Sequence, residues 1–104
     1  DVNTGKNVAK KEMQENFLRV NKEAAEEIAR QLRLRNLSGM VLVDFINLTS
    51  KSAEEELLKT FRAALQKDPV PAQLIDMTAL GLVEVTRKKI KRPLHEIFPD
   101  GLGF

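Results

Sequence analysis

The clearest pattern lies between Asn21 and Arg35, NKEAAEEIARQLRLR, where Ala25, Ile28, Ala29 and Leu32 recur at i, i+3, i+4 and i+7. Those positions share one helical face, and the spacing predicts an amphipathic helix. Asn21 can cap its start, Glu23, Glu26 and Glu27 suit the positive end of its dipole, and Arg30, Arg33 and Arg35 suit the negative end. Ser38-Gly39 is expected to close it. Residues 40–48, MVLVDFINL, form a short apolar run broken only by Asp44 and Asn47, which predicts a strand buried on both faces. Ser52-Ala53-Glu54-Glu55 reads as a capping box ahead of Leu57, Leu58, Phe61, Ala64 and Leu65. A second helix is expected there, stopped by Pro69 and Pro71. Residues 72–77, AQLIDM, predict another strand.

A strand, a crossover helix and a strand wind right-handed within one sheet, so parallel pairing of residues 40–48 with 72–77 is the expected outcome. With Asp1-Val2-Asn3 as the end of a preceding strand, the order becomes β-α-β-α-β. The fold class is then α/β, with a small parallel or mixed sheet and helices packed on it, in a single domain over residues 1–104. Residues 4–20 open as a polar loop, TGKNVAKK, and gain a helical turn through Met13, Phe17 and Leu18. Residues 79–90, ALGLVEVTRKKI, mix a strand-like Val-Glu-Val-Thr with a Thr78 placed to cap a helix, and a helix is expected.

Composition narrows the chemistry. With 42% hydrophobic and 31% charged residues, the chain falls among soluble globular domains rather than collagen-like or disordered ones. It has no cysteine and a single histidine, His95, which excludes disulfides and thiolate metal sites and argues against zinc. His95 has no Ser, Cys or carboxylate partner at a recognisable spacing and reads as a surface residue. No apolar run is long enough to span a membrane. The net charge of +2 does not by itself mark a polyanion binder. The chain opens on Asp1 without an initiator Met or a leader and is expected to belong to a longer protein.

Asp44 is the most informative residue. An acid inside an apolar strand must be paired, hydrogen-bonded or on a metal. It can cap the following loop, pair with an Arg of the first helix, or hold a ligand beyond the carboxyl end of its strand. Asp1 and Asn3, two apart in an extended segment, would share a face. Two carboxylates and an amide suit Mg²⁺, which polarises a phosphodiester and lowers the pKa of a bound water. Arg87, Lys88, Lys89, Lys91 and Arg92 make a candidate phosphate track, with a solvated charged face as the alternative. Base stacking is not expected of Phe45 and Phe61, which fall at core positions, and Gly5-Lys6 lacks the spacing of a P-loop.

Taken in order, DVNTGK, NKEAAEEIARQLRLRNLSGMVLVDFINL and LGLVEVTRKK closely resemble the catalytic region of the bacterial ribonuclease E/G family, in its subdomain similar to the DNase I fold. The resemblance reaches to about Arg92. It implies Mg²⁺-dependent (or Mn²⁺-dependent) endonucleolytic cleavage of single-stranded RNA in the bacterial cytoplasm. The metal would be held by Asp1 and Asp44, and Asn3 would help place water or phosphate. It also implies an RNA-binding S1 domain and a 5′-sensor in the complete chain, and homo-oligomers through a Cys-Pro-x-Cys zinc link. This chain runs out through HEIFPDGLGF without Cys, so no zinc is expected in this segment. Two further departures are Asp68-Pro69-Val70-Pro71, where relatives carry a basic stretch linked to 5′-monophosphate sensing, and Asn47, where many carry an acid. The competing expectation is a non-catalytic α/β module that binds RNA or protein through its basic stretch. A phospho-acceptor receiver domain is disfavoured, because the acidic pair at the end of its first strand is missing.

Overall fold

The computed structural model describes residues 2–90, with side-chain surroundings from Val8 onward. Five elements follow in order: α1 (Val2–Leu34), β1 (Gly39–Val43), α2 (Lys51–Leu65), β2 (Ala72–Met77) and β3 (Val83–Arg87).

The first predicted helix is present but begins far earlier. At 33 residues, α1 is about 50 Å long at 1.5 Å per residue. The expected loop over 4–20 and the expected strand end at Val2-Asn3 are both helix instead. Residues 8–16 contain neither Pro nor Gly and are rich in Lys, Glu, Gln, Ala and Met, all good helix formers. Phe17 and Leu18 extend the apolar stripe of Ala25, Ala29 and Leu32 by two turns. The shared face argued for Asp1 and Asn3 required an extended segment, and from Val2 onward the chain is helical. Asp1 lies outside the described residues.

Asn21 is not a cap. It sits in mid-helix, 2% exposed, on the buried stripe. The helix also ends before Ser38-Gly39: Asn36 takes φ 49°, and its N–H donates to Arg33 O at 3.1 Å while Leu37 N–H donates to Leu32 O at 3.1 Å. That pair of bonds is a Schellman ending, and Asn is among the few residues that enter the left-handed region at small cost.

The second helix is bounded by Ser50, whose Oγ accepts from Ala53 N–H, so the cap falls two residues before the predicted Ser52 box. Ser52 instead shares a 2.9 Å hydrogen bond with Ser50. Leu57, Phe61, Ala64 and Leu65 are buried as their spacing required, and α2 stops at Leu65, ahead of Pro69.

The sheet departs most from expectation. Its order is β1-β3-β2, and both pairings with β3 are antiparallel. It follows that β1 and β2 run in the same direction, as the crossover through α2 requires, but they do not pair: β3 stands between them. The expected parallel β-α-β-α-β order is therefore replaced by a split unit with a three-stranded antiparallel sheet. Residues 83–87 alternate apolar and polar, VEVTR, with Val83, Val85 and Arg87 buried, and this period of two outweighs the capping potential of Thr78. Thr78 instead starts the β2–β3 hairpin. Its Oγ1 accepts from Leu80 and Leu82 N–H at 3.3 and 3.2 Å, and its own N–H donates to Leu82 O at 2.7 Å. Gly81, at φ 82°, supplies the left-handed step of that turn.

In β1, Val41 and Val43 face inward and Met40 and Leu42 outward, so the strand is buried on one face only. It ends at Val43, one residue before Asp44. The core joins Ala25, Ala29 and Leu32 of α1, Leu57 and Phe61 of α2, and Val43, Val83 and Val85 of the sheet.

Arg87 belongs to the frame of the fold and not to a phosphate track. It is 3% exposed; its Nε donates to Asp68 Oδ2 at 2.7 Å, Nη2 to Asp68 Oδ1 at 3.3 Å, and Nη1 to Asn36 Oδ1 and Leu37 O at 2.9 Å each. These bonds from Arg87 hold the Asp68 carboxyl below its usual range; burial opposes them, and the Val70 N–H adds to them. The ionised form is thus bound more tightly in the folded chain than in the unfolded one. Its contribution is complete above the unfolded value of about 3.9 and is lost as pH falls through the lower folded value. We expect urea midpoints to drop on acidification below about pH 4, and Asp68→Asn to remove that part of the acid dependence. Arg87→Met, which strands a buried carboxylate, is expected to cost about 3–5 kcal/mol at pH 7 in the same titration. An acid profile unchanged by Asp68→Asn would contradict this assignment.

Candidate functional site

Beyond Val43 the chain turns into an irregular segment, residues 44–49, before α2 starts. Asp44 is exposed there, and among the described residues no side chain or backbone group pairs with it. The expected cost of burying it therefore does not arise, and neither proposed partner, an Arg of the first helix or a loop amide, is used. It stands one residue past the end of β1, whereas the sequence pattern places it inside a strand over residues 40–48.

Asp44 lines a cleft of about 170 Å³ together with Asn47, Glu54, Met77, Leu80 and Gly81. One wall is the segment after β1, a second is the first turn of α2, and the third is the β2–β3 hairpin. The polar side chains of the cleft are two carboxylates and one amide, all hard oxygen donors, and among the described residues no Lys or Arg lines it. Such a wall attracts a divalent cation and repels a bare phosphate. Among the described residues no cluster of three metal-ligating His, Cys, Asp or Glu side chains forms. A cation here would thus be held by one or two carboxylates and complete its shell with water and phosphate oxygens, which is the usual habit of Mg²⁺.

The loop bearing Asp44 is anchored from α1 at two points. Asn21 Nδ2 donates to Ile46 O at 2.8 Å while Ile46 N–H donates to Asn21 Oδ1 at 2.9 Å. Further along, Thr49 N–H donates to Gln14 Oε1 at 3.0 Å. Phe45 sets its ring edge-on to buried Phe61, with centroids 5.7 Å apart at 88°, and Leu48 is buried. Phe45, Ile46, Leu48 and Thr49 are thus pinned while Asp44 and Asn47 project outward.

The basic stretch does not adjoin the cleft. Val83 pairs with Val43 beside Asp44, whereas Arg87 pairs with Gly39 at the far end of the sheet, about 13 Å away at 3.3 Å per residue. Arg87 is withdrawn into its ion pair, Lys88 and Lys89 are exposed, and Lys91, Arg92 and His95 lie outside the described residues, as does Asp1. Glu54 and Asn21 are the residues whose place at the site sequence reasoning missed. Asn21 falls four before Ala25, so a polar side chain interrupting an apolar stripe was the available signal. Glu54 was visible only as a member of a capping box.

The profile of the Ribonuclease E/G family matches residues 1–90. Over 100 residues, 96% of this chain, the sequence is 44% identical to ribonuclease E of Nostoc sp., of which that match covers 15%. It is 43% identical over 98 residues to ribonuclease E of Synechocystis sp., covering 94% of this chain and 14% of that protein. Against ribonuclease G of Escherichia coli K12 the identity is 38% over 97 residues, 93% of this chain and 20% of that protein. The chain therefore spans a fifth or less of the length of these relatives. With a family profile covering nearly the whole described structure, and these relatives aligned along almost all of it, this chain belongs to the ribonuclease E/G family.

Proposed function

We propose that this chain is a catalytic subdomain of a metal-dependent endoribonuclease, acting on single-stranded RNA in the bacterial cytoplasm as part of a longer protein. The observation that carries the reading is the placement of Asp44: an exposed carboxylate at the end of β1, in one cleft with Glu54 and Asn47, in a chain whose relatives are named ribonucleases. Asp44 would hold Mg²⁺ or Mn²⁺ at this cleft, whereas Asn3, eighteen residues before Asn21 on α1 and so about 27 Å along the helix from the loop, stands away from it. What such a cation supplies is polarisation of the phosphodiester and a lowered pKa for an attacking water. Asp44 contributes a fixed negative charge on a loop whose neighbours are pinned. Glu54 stands across the cleft as a second acceptor for water or cation. Lys88 and Lys89, exposed at the far end of β3 from the cleft, would take phosphates of the same strand and steer RNA without touching the cleaved bond, with Lys91 and Arg92 following them in sequence. Grip on RNA through an S1 domain, 5′-end sensing and association of copies are roles we assign to other parts of the complete protein.

In a full-length protein carrying this segment, Asp44→Asn is expected to lower cleavage of a 5′-labelled single-stranded oligonucleotide by about 10²-fold or more. An anionic ligand contributing several kcal/mol to the transition state has that effect, at about 1.4 kcal/mol per tenfold. Because Asp44 is exposed and unpaired among the described residues, its loss is expected to change stability by no more than about 0.5 kcal/mol. Normal cleavage by the folded variant would favour the non-catalytic RNA-binding module instead.

Replacing Lys88 and Lys89 with Gln is expected to weaken RNA binding and reduce the slope of log K against log salt by about 0.7 for each phosphate no longer neutralised. An unchanged slope in a filter-binding titration assigns both lysines to ordinary solvation.

A further inference from the structure

We infer that Asn21 is a positioning residue for Asp44: its buried amide takes the place of a β-strand neighbour and holds the backbone of Ile46 in the orientation that aims Asp44 into the cleft. The inference rests on the reading of Asp44 as the acid of the site.

Residue 21 lies well inside a long helix, where an apolar side chain would extend the stripe of Ala25, Ala29 and Leu32. An Asn there is a poorer helix former than Ala and must have both ends of its amide paired. Both ends are paired, at 2.8 and 2.9 Å, to the C=O and N–H of one residue, Ile46. An antiparallel strand neighbour makes that same reciprocal pair of bonds. The chain after Val43 has left the sheet, and no strand bonds to it among the described residues. Ile46 itself is exposed, so it is the buried amide of Asn21 that requires these two partners. The side chain thus fixes residue 46 to a rigid helix, and Asp44 is separated from that fixed point only by Phe45, itself set against Phe61. Gln14 performs a simpler service at Thr49, with a single bond from a half-buried position. Among the described residues only Asn21 sets both backbone groups of one residue, and of these two anchors it is the buried one. A carboxylate held this way loses little further freedom when it meets its ligand, which is where a residue outside the site can change a rate.

The test is a double-mutant cycle in a full-length protein carrying this segment, with Asn21→Ala and Asp44→Asn singly and together. Asn21→Ser is carried alongside in case the Ala variant does not fold. Cleavage is read as kcat and KM on a single-stranded oligonucleotide, corrected for the folded fraction, and hydrogen exchange is followed by mass spectrometry in peptides covering residues 44–49. We expect faster exchange in those peptides and little change in the rest of α1. We expect kcat lower by about 10–100-fold with KM within about threefold, as for loss of a group that orients a ligand. In the Asp44→Asn background the same change should cost almost nothing, because nothing remains to be aimed. An equal loss of kcat in both backgrounds would show that Asn21 only maintains the fold and would overturn the inference. So would an opened loop with unchanged kcat. If Asp44→Asn alone leaves cleavage intact, the reading of the site fails instead, while the exchange data still decide whether Asn21 holds the loop.

Discussion

The fold turns on a single buried cation. Arg87 ends the central strand, and its guanidinium bonds the turn after α2 through Asp68 and the end of α1 through Asn36 and the Leu37 carbonyl. A guanidinium cannot shed its charge, so every donor it takes out of water must meet an acceptor. The acceptors come from separate connections, and that requirement sets where the chain turns. Asn36 adopts a left-handed conformation that ends α1 and offers its side-chain oxygen, and Asp68 stands just before Pro69, where α2 has already stopped. With β3 fixed between β1 and β2, the two outer strands run in the same direction, and the carboxyl end of β1 meets the hairpin that closes β2 on β3. The cleft of Asp44 lies at that meeting.

The same rule, that buried polar groups must be paired, shapes the opposite end of the sheet. There the group brought to the loop is neutral: the Asn21 amide supplies a hydrogen-bond pattern that the sheet no longer provides to Ile46. The acid proposed for the site has conflicting needs in this setting. It must be accessible to water and phosphate, which favours an irregular loop, and it must keep one orientation, which favours regular structure. Pinning Ile46 and Thr49 to a helix while leaving Asp44 and Asn47 exposed reconciles the two.

Much of this is legible in the chain itself. The stripe of Ala25, Ile28, Ala29 and Leu32, the spacing from Leu57 to Leu65 and the strand at 72–77 all appear where periodicity places them. Asp44 stands out in the sequence as the informative residue, although for a burial it does not have. What fails are readings that depend on partners distant in sequence. Nothing local tells that β3 inserts between β1 and β2, that Arg87 is drawn from a run of exposed cations to meet Asp68, or that Asn21 pairs with a residue 25 positions away. Asn at the predicted start of a helix reads as a cap unless the stripe is known to extend upstream. The helix over Val2–Asn3, where extended chain was expected, also carries Asn3 away from the loop of Asp44.

The central claim, that a divalent cation sits at Asp44, is open to a direct spectroscopic test. The segment has three methionines, and they are well separated: Met77 lines the cleft, Met40 lies on the outer face near the far end of β1, and Met13 stands on α1. In a full-length protein with methyl-labelled methionine, substoichiometric Mn²⁺ should broaden the Met77 methyl resonance while Met40 and Met13 stay sharp, and Asp44→Asn should abolish the effect. Broadening that spares Met77, or that persists without the Asp44 carboxylate, would place the metal elsewhere and contradict the account.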